Sequence, residues 1–332
     1  MSEPLHPRDS FALDGIEAQA QAFEEALARG RLHHAWLLTG PEGAGKASFA
    51  YRVARRLLGA APAPTYGPLG SAPGDHVCRM VAARSHPDLL VIERIGEDGK
   101  VRRNIPVEEA RRLPDFFNKS PSIAPYRVAI IDAADDMNVN AANAVLKTLE
   151  EPPPKGVLLL VAHAPGRLLA TIRSRCRTLA FPPWSEERLA GFLVAREGLD
   201  REDAARLAAM AQGVPGRALS LHAAGALELD AAAGLVIDQL GHADEAKLLS
   251  LADGFRGGEG GARFALLMER LAERARGLAL SGIGGLPQAA AWAEAWEKLL
   301  HLAAETEALN LDRADAFWSA LGELRRAARV AA

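Results

Sequence analysis

The sequence predicts an α/β phosphate-loop domain built on a parallel sheet, followed by a small helical lid and an all-α C-terminal domain. Three observations carry this expectation. A short apolar run from His33 to Thr39 ends in Gly40-Pro41-Glu42-Gly43-Ala44-Gly45, then Lys46 and a helix-like segment through Leu58. Four further apolar runs alternate with helical periodicity, and near-uniform apolarity marks strands covered on both faces of a sheet. Beyond Phe181-Pro182-Pro183-Trp184 no strand-like run remains.

Bulk properties agree with a multidomain globular protein. At roughly 150 residues per domain, 332 residues suggest two or three domains. The expected boundaries are a core over 1–182, a lid over 183–222 and a helical domain over 223–332. Hydrophobic residues make up 49% and charged residues 24%, enough for a sizeable core. A formal net charge of −3 gives no global signal for nucleic acid, so any such contact needs a local basic face. Cys78 and Cys176 are the only cysteines and are far apart, which excludes a disulfide framework or a four-cysteine zinc site. Met1 to Pro7 has neither a basic nor an apolar leader region, and no apolar run approaches about 18 residues. The expectation is a soluble, cytoplasmic protein with no membrane partner.

Taken in order, residues 14–29 form a helix, with Ile16, Ala20, Phe23 and Leu27 spaced on one face. Ala35 to Thr39 is the first strand, and the glycine loop and its helix follow. The Pro- and Gly-dense stretch 59–75 reads as a surface loop. Asp88 to Glu93 carries Leu89-Leu90-Val91-Ile92, a fully buried type of strand. A Gly-Glu-Asp-Gly turn at 96–99 leads to a helix beginning near Pro106. Arg127 to Asp132 is the third strand, a helix spans about 138–150, and Pro152-Pro153-Pro154 stops it. Val157 to Val161 and Arg177 to Phe181 complete the sheet. Residues 185–222 read as three short helices broken at Gly198 and at Gly213-Val214-Pro215-Gly216. Helices separated by Gly-rich turns at 257–261 and 282–285 fill the remainder.

The loop has the G-x-x-x-x-G-K pattern of a phosphate cradle, in which backbone N–H groups at a helix N-terminus meet phosphate oxygens. Gly40, Gly43, Gly45 and Lys46 supply its frame. The following position needs a hydroxyl to hold magnesium, and it is Ala47. Ser48 is one residue on, which turns a side chain by about 100° around the helix. A strand ending in Asp should help orient the metal, with a neighbouring carboxylate to polarise water. Asp132 provides the first, and Ala133 stands where the second belongs. Asp135 and Asp136 lie close by and are expected to cap the next turn or face solvent. Two independent losses, Ala47 and Ala133, fall on one chemical step, which argues for a retired ATPase. ATP with magnesium is the one cofactor the loop allows.

Several stretches together resemble the bacterial replicative clamp-loader subunits of the AAA+ class. They are Asn143-Ala144-Val145-Leu146-Lys147-Thr148-Leu149-Glu150-Glu151-Pro152-Pro153 and Ile172-Arg173-Ser174-Arg175-Cys176. His33-His34-Ala35, His86-Pro87-Asp88-Leu89 and Gly216-Arg217 fit as well. The resemblance covers residues 1–222; the C-terminal part fits only by its helical character. Within that family the paired losses resemble the supporting subunit rather than the ATP-burning gamma/tau motors.

The resemblance implies roles for particular residues. Arg175 would be an arginine finger, presented in trans to ATP on a neighbouring subunit; the plain alternative is a surface arginine between Arg173 and Arg177. Arg217 would sense nucleotide from the lid, or only tie the lid to the core. The implied partners are gamma/tau and delta subunits, with the sliding clamp and primed DNA reached through the complex. The family's four-cysteine zinc module would lie before His86. Cys78 is the only cysteine there, flanked by His76 and His86, so no zinc is expected. Cys176 reads as a small buried residue. Arg102, Arg103, Arg111, Arg112 and Lys119 could track DNA phosphates, but Glu108, Glu109 and Asp115 among them favour a mixed, solvated face. Trp292, Trp296, Phe317 and Trp318 serve a core by default and, under the resemblance, an oligomerisation collar. Rival readings are an active gamma/tau-type ATPase rescued by Ser48 and Asp135, an unrelated phosphate-loop enzyme, and an interaction scaffold.

Overall fold

The computed structural model describes residues 6–95, 100–242, 244–257, 260–281 and 285–330. The expected turn at 96–99 lies outside these residues, as do parts of the turns at 257–261 and 282–285. The chain divides into two compact units: Met1–Phe192 with Ala211–Ala218, and Leu193–Met210 with Leu219–Ala332.

The first unit begins with α1 (Glu17–Ala28), β1 (Ala35–Thr39), α2 (Lys46–Leu57), α3 (His76–Ala82) and β2 (Leu89–Glu93). It continues through α4 (Val107–Phe117), β3 (Arg127–Asp132), α5 (Val139–Glu150), β4 (Gly156–Ala162), α6 (Ala170–Ser174) and β5 (Arg177–Ala180). The five strands form one parallel sheet in the order β2-β3-β4-β1-β5. The chain runs outward from β1 to the β2 edge, returns through β3 and β4, and passes over β1 to reach β5. Strand order therefore reverses around β1, and in open α/β sheets ligands bind where it does, at the carboxyl ends of the strands. The glycine loop leaves β1 at that place.

Alternation along each strand sends side chains to opposite faces. Trp36 and Leu38 join Phe23 of α1 and Phe49, Val53 and Leu57 of α2 on one face. Ala35 and Leu37 join Leu113 of α4 and Val145 and Leu149 of α5 on the other. With both faces covered, β1, β3 and β4 are buried almost throughout, as their unbroken apolar sequence predicts. β2 departs from expectation. It is an edge strand whose residues alternate between buried and half-buried, so its apolar run marks packing on one side rather than full enclosure.

The stretch 59–75 is also less of a surface loop than its Pro and Gly content suggests. Ala60, Leu69 and Ser71 are buried, and Arg52 on α2 donates to Tyr66 O (2.8 Å), Pro68 O (2.5 Å) and Phe11 O. That guanidinium straps the segment to the helix carrying the loop lysine. Asp75 then caps α3 through Val77 N and Cys78 N, an element with no counterpart in the sequence reading. α6 is likewise unforeseen, since five residues are too few to carry a periodicity.

Around the second segment of the first unit come α7 (Glu186–Glu197), α8 (Arg201–Met210) and α9 (Pro215–Ala223). They match the three short helices expected over 185–222. Further on are α10 (Ala226–Asp238), α11 (Glu245–Asp253), α12 (Gly260–Ser281), α13 (Gly285–Leu309) and α14 (Arg313–Arg329). In the second unit Asp230 of α10 pairs with Arg206 of α8 (3.2 Å) and Arg274 of α12 (3.1 Å). Phe255 packs edge-on against Phe264 (5.4 Å) and Phe317 (5.5 Å) between ring centroids. Phe317 and Trp292 are core residues, while Trp296 and Trp318 are half-buried. Among the described residues, no single helix is long and apolar enough to cross a membrane.

Candidate nucleotide cradle and surface arginine

The loop's backbone follows from its glycines. Gly40, Gly43 and Gly45 have φ of +148°, +82° and +86°, a region that glycine enters at little steric cost. A Cβ at Gly40 would collide with the Phe181 carbonyl, and one at Gly43 would sit 2.9 Å from Arg217 N. Gly45 ends the loop in the left-handed conformation, and α2 starts at Lys46. The turn from Ala211 to Ala218 belongs to the same unit and closes on the loop: Gly216 N donates to Gly43 O at 2.9 Å. A Cβ on Gly216 would lie 2.7 Å from that oxygen and 2.8 Å from Gly43 Cα. Arg217 thus stands beside the loop through its backbone.

Lys46 is 2% exposed and turns back into its own loop. Its Nζ donates to Gly40 O (2.6 Å) and Pro41 O (2.5 Å). Burial pulls its pKa down to about 8, against the charges of Asp132, Asp135 and Glu42. Burial conversely pushes Asp132 up to about 6, helped by Glu93 and opposed by Lys46. A charged Asp132 is therefore disfavoured in the fold above pH 6, and the penalty disappears below the unfolded carboxylate pKa near 3.8. Asp132→Asn is expected to raise unfolding stability by about 2–3 kcal/mol at pH 7.5, from roughly two pKa units at 1.36 kcal/mol each. Urea titrations at pH 7.5 and pH 4 check this, since the gain should be absent at pH 4.

Asp135 stands near the cradle, where its charge acts on Lys46, but both its oxygens are engaged by backbone. Its carboxylate accepts from His163 N (2.9 Å) and Ala164 N (2.7 Å), so it caps the end of β4, not the turn that follows it. Asp136 is paired with Arg94 at 2.9 Å. Ser48 lies in the first turn of α2, around the helix from Ala47, and Ala133 is buried. Three features bear on how the loop could hold magnesium and ATP. Ala47 offers no hydroxyl, Ala133 offers no carboxylate after Asp132, and Gly216 rests on the loop.

Sequence reasoning passed over His163. It follows β4 at the carboxyl edge of the sheet, and its Nδ1 is buried without a hydrogen-bond partner. Burial lowers its pKa, with the Lys46 charge as the next cause. A lone histidine after an apolar strand offered no signal, because only the sheet order brings β4 beside β1.

Arg175 belongs elsewhere. It is the C-cap of α6, just ahead of β5, whose first residue Arg177 pairs with Trp36 near the start of β1. In a parallel sheet this is the amino edge, whereas Lys46 follows the carboxyl end of β1. Five strand residues at about 3.3 Å each separate the two edges by roughly 13–16 Å. Arg175 Nη2 pairs with Glu150 Oε1 at 2.9 Å, Nη1 donates to Thr171 O at 3.1 Å, and the side chain is 36% exposed.

Cys78 is buried and its Sγ lies 3.2 Å from Ser71 Oγ. Cys176, expected to be buried, is half-buried and packs against the core on the Leu37 face of the sheet, where burial pushes its thiol up to about 12. Among the described residues no group of three His, Cys, Asp or Glu side chains could hold a metal ion. In the arginine-rich face, Arg102 and Arg112 both pair with Glu109, at 3.6 and 2.7 Å, in keeping with a mixed surface.

Comparison with known proteins supplies the family. The family model described as "DNA polymerase III, delta subunit" matches residues 15–185. The DNA polymerase III subunit delta' of Pseudomonas aeruginosa is 38% identical over 196 residues, covering 59% of this chain and 57% of that protein. The Escherichia coli subunit delta' is 35% identical over 205 residues, covering 60% and 58% respectively. The Bacillus subtilis subunit tau is 30% identical over 177 residues, 53% of this chain and 30% of that one. The chain thus spans less than two thirds of the length of these curated relatives. A solved gamma subunit-related protein from Thermotoga maritima aligns over 94% of this chain and 99% of its own, with 19% identity and a TM-score of 0.46. With its parallel sheet, glycine loop and a model match over more than half its length, the chain belongs to the DNA polymerase III delta-subunit family.

Proposed function

We propose that the protein is the delta prime subunit of a bacterial replicative clamp loader, a supporting AAA+ subunit with no ATP turnover of its own. It holds gamma/tau and delta subunits in a circular assembly and presents Arg175 to ATP on a neighbour. In this way it helps to open the sliding clamp and place it on primed DNA in the cytoplasm. One observation carries the reading: Arg175 and Lys46 occupy opposite edges of the sheet. A guanidinium at the amino edge cannot reach its own loop, but it can reach a nucleotide brought to the surface by another chain. Such a group stabilises charge that develops on the transferring phosphoryl oxygens. Closure of Gly216 onto Gly43 and the turned-in Lys46 support an inherited cradle kept as architecture. The gamma/tau-type alternative needed Asp135 to rescue the site, and that carboxylate caps the end of β4 instead.

Calorimetric titration with ATP, with and without magnesium, tests the reading together with a turnover assay on the purified protein. Turnover at background level is expected, and Lys46→Ala in a reconstituted loader should leave clamp loading within about twofold of wild type, as for a group outside the transition state. Magnesium-dependent turnover by the isolated protein that vanished in Lys46→Ala would overturn it.

A further inference from the structure

Glu150 is the last residue of α5, and Glu151 follows as its C-cap. The carbonyl end of a helix carries partial negative charge, so cations are favoured there and carboxylates disfavoured. Two adjacent carboxylates break that rule. The position is fixed, because Pro152-Pro153-Pro154 prevents the helix from running on. Lys147 already supplies one cation to that last turn, and a second comes from 25 residues further along the chain: Arg175 Nη2 lies 2.9 Å from Glu150 Oε1.

The same guanidinium is gripped at its other end, where Nη1 donates to Thr171 O at 3.1 Å. A guanidinium has five N–H donors in a planar fork, and these contacts use two of them. Three donors are left for another ligand while the plane is held from two sides. Among the described ion pairs, Arg175 alone of the three arginines in this stretch has a carboxylate partner. Arg173 donates to Pro165 O at 3.3 Å, and Arg177 lies over the Trp36 ring at 4.7 Å.

We infer that Glu150 is a positioning residue for Arg175, holding its guanidinium in a fixed pose at the surface for a phosphate group carried by a neighbouring chain. The inference rests on the reading of Arg175 as a finger acting in trans. A free arginine would have to give up its rotamer freedom when the phosphate arrives. One already held between Glu150 and the Thr171 carbonyl meets it with less to lose. Glu150 touches neither nucleotide nor reacting atoms, and its effect passes entirely through Arg175.

The test is a double-mutant cycle in the reconstituted loader, measuring the pre-steady-state burst of phosphate release and KM for ATP in the presence of clamp and primed DNA. Glu150→Ala is expected to slow phosphate release at the one site that Arg175 faces about three- to fivefold, the scale of one exposed ion pair, with KM for ATP unchanged. Glu150→Gln keeps an acceptor without the charge and should lose less. The double variant Glu150→Ala/Arg175→Ala should match Arg175→Ala alone, because Glu150 has nothing left to position. If Glu150→Ala turned over like wild type while Arg175→Ala did not, the positioning role would fail and the finger would stand. Losses that multiply in the double variant would also overturn it. An Arg175→Ala assembly with wild-type turnover would remove the finger itself and the inference with it. Glu150 is exposed, and the Gln variant keeps the cycle open should the Ala variant assemble poorly.

Discussion

Arg175→Ala in a reconstituted loader is expected to silence the nucleotide site it faces while leaving assembly intact. An arginine finger contributes about 10³–10⁵ in rate in phosphoryl-transfer systems, so the affected site should stop turning over on the time scale of the others. Total steady-state hydrolysis would then fall to what the remaining sites supply. A pre-steady-state burst of phosphate release is the sharper measurement, because it should lose the amplitude of one site rather than slow uniformly. Folding is expected to be unaffected. The side chain is 36% exposed, and an exposed ion pair contributes about 0–1 kcal/mol. Arg175→Lys should restore little, because an ammonium lacks the planar fork that meets two phosphate oxygens at once. A burst of wild-type amplitude from the alanine assembly would remove the role.

How much of this was legible in the sequence varies with the range of the interaction. β1 and β3 begin and end where their apolar runs do, since burial on both faces writes itself into every residue. The glycine loop was legible for a similar reason: Gly40, Gly43 and Gly45 each answer a backbone demand that glycine meets most readily. Asp132 was found as the acid ending an apolar strand. Contacts between distant segments were not legible. Nothing in the sequence sets Gly216 against Gly43, because both are glycines in loops and the fit exists only once the turn lies on the cradle. Asp135 looked like a local cap, yet it serves His163 and Ala164, 28 and 29 residues away. Glu150 and Arg175 were each conspicuous in its own motif, and their pairing required α5 and α6 to meet at the amino edge of the sheet. The 59–75 stretch misled for a different reason. Pro and Gly report local backbone freedom, whereas a buried arginine on α2 decides how that segment is held.

Asp88→Ala is expected to destabilise the first unit by about 3–5 kcal/mol, as removal of one partner from a buried ion pair does. His86-Pro87-Asp88 entered as a motif without a mechanism, and the structure supplies one. Asp88 is 0% exposed and accepts from Ser122 N (2.7 Å), Ile123 N (2.9 Å), Ala124 N (3.1 Å) and Arg127 Nε (3.2 Å). Arg127 in turn donates to Phe116 O and Pro87 O (3.3 Å) and lies over the Phe116 ring at 4.3 Å. One carboxylate therefore fixes the entry of β2, the loop after α4 and the start of β3. Burial alone would raise its pKa, but the donors from Ile123, Ser122, Ala124 and Arg127 outweigh burial and bring it down to about 2. The folded value lies below the unfolded one near 3.8, so the contribution is fully present above pH 4 and is lost as pH falls toward 2. That shift is worth about 2–3 kcal/mol. Urea titrations of wild type and Asp88→Ala should thus differ most at neutral pH and converge by that amount near pH 2. Replacing the pair together, as Asp88→Leu with Arg127→Leu, should recover only part of the loss. Pairs held by each other alone can be exchanged for apolar residues at little cost, but here the backbone N–H groups of Ser122, Ile123 and Ala124 would also lose their acceptor. Full recovery in that double variant would mean the charge pair, rather than the backbone donors, is what the motif maintains.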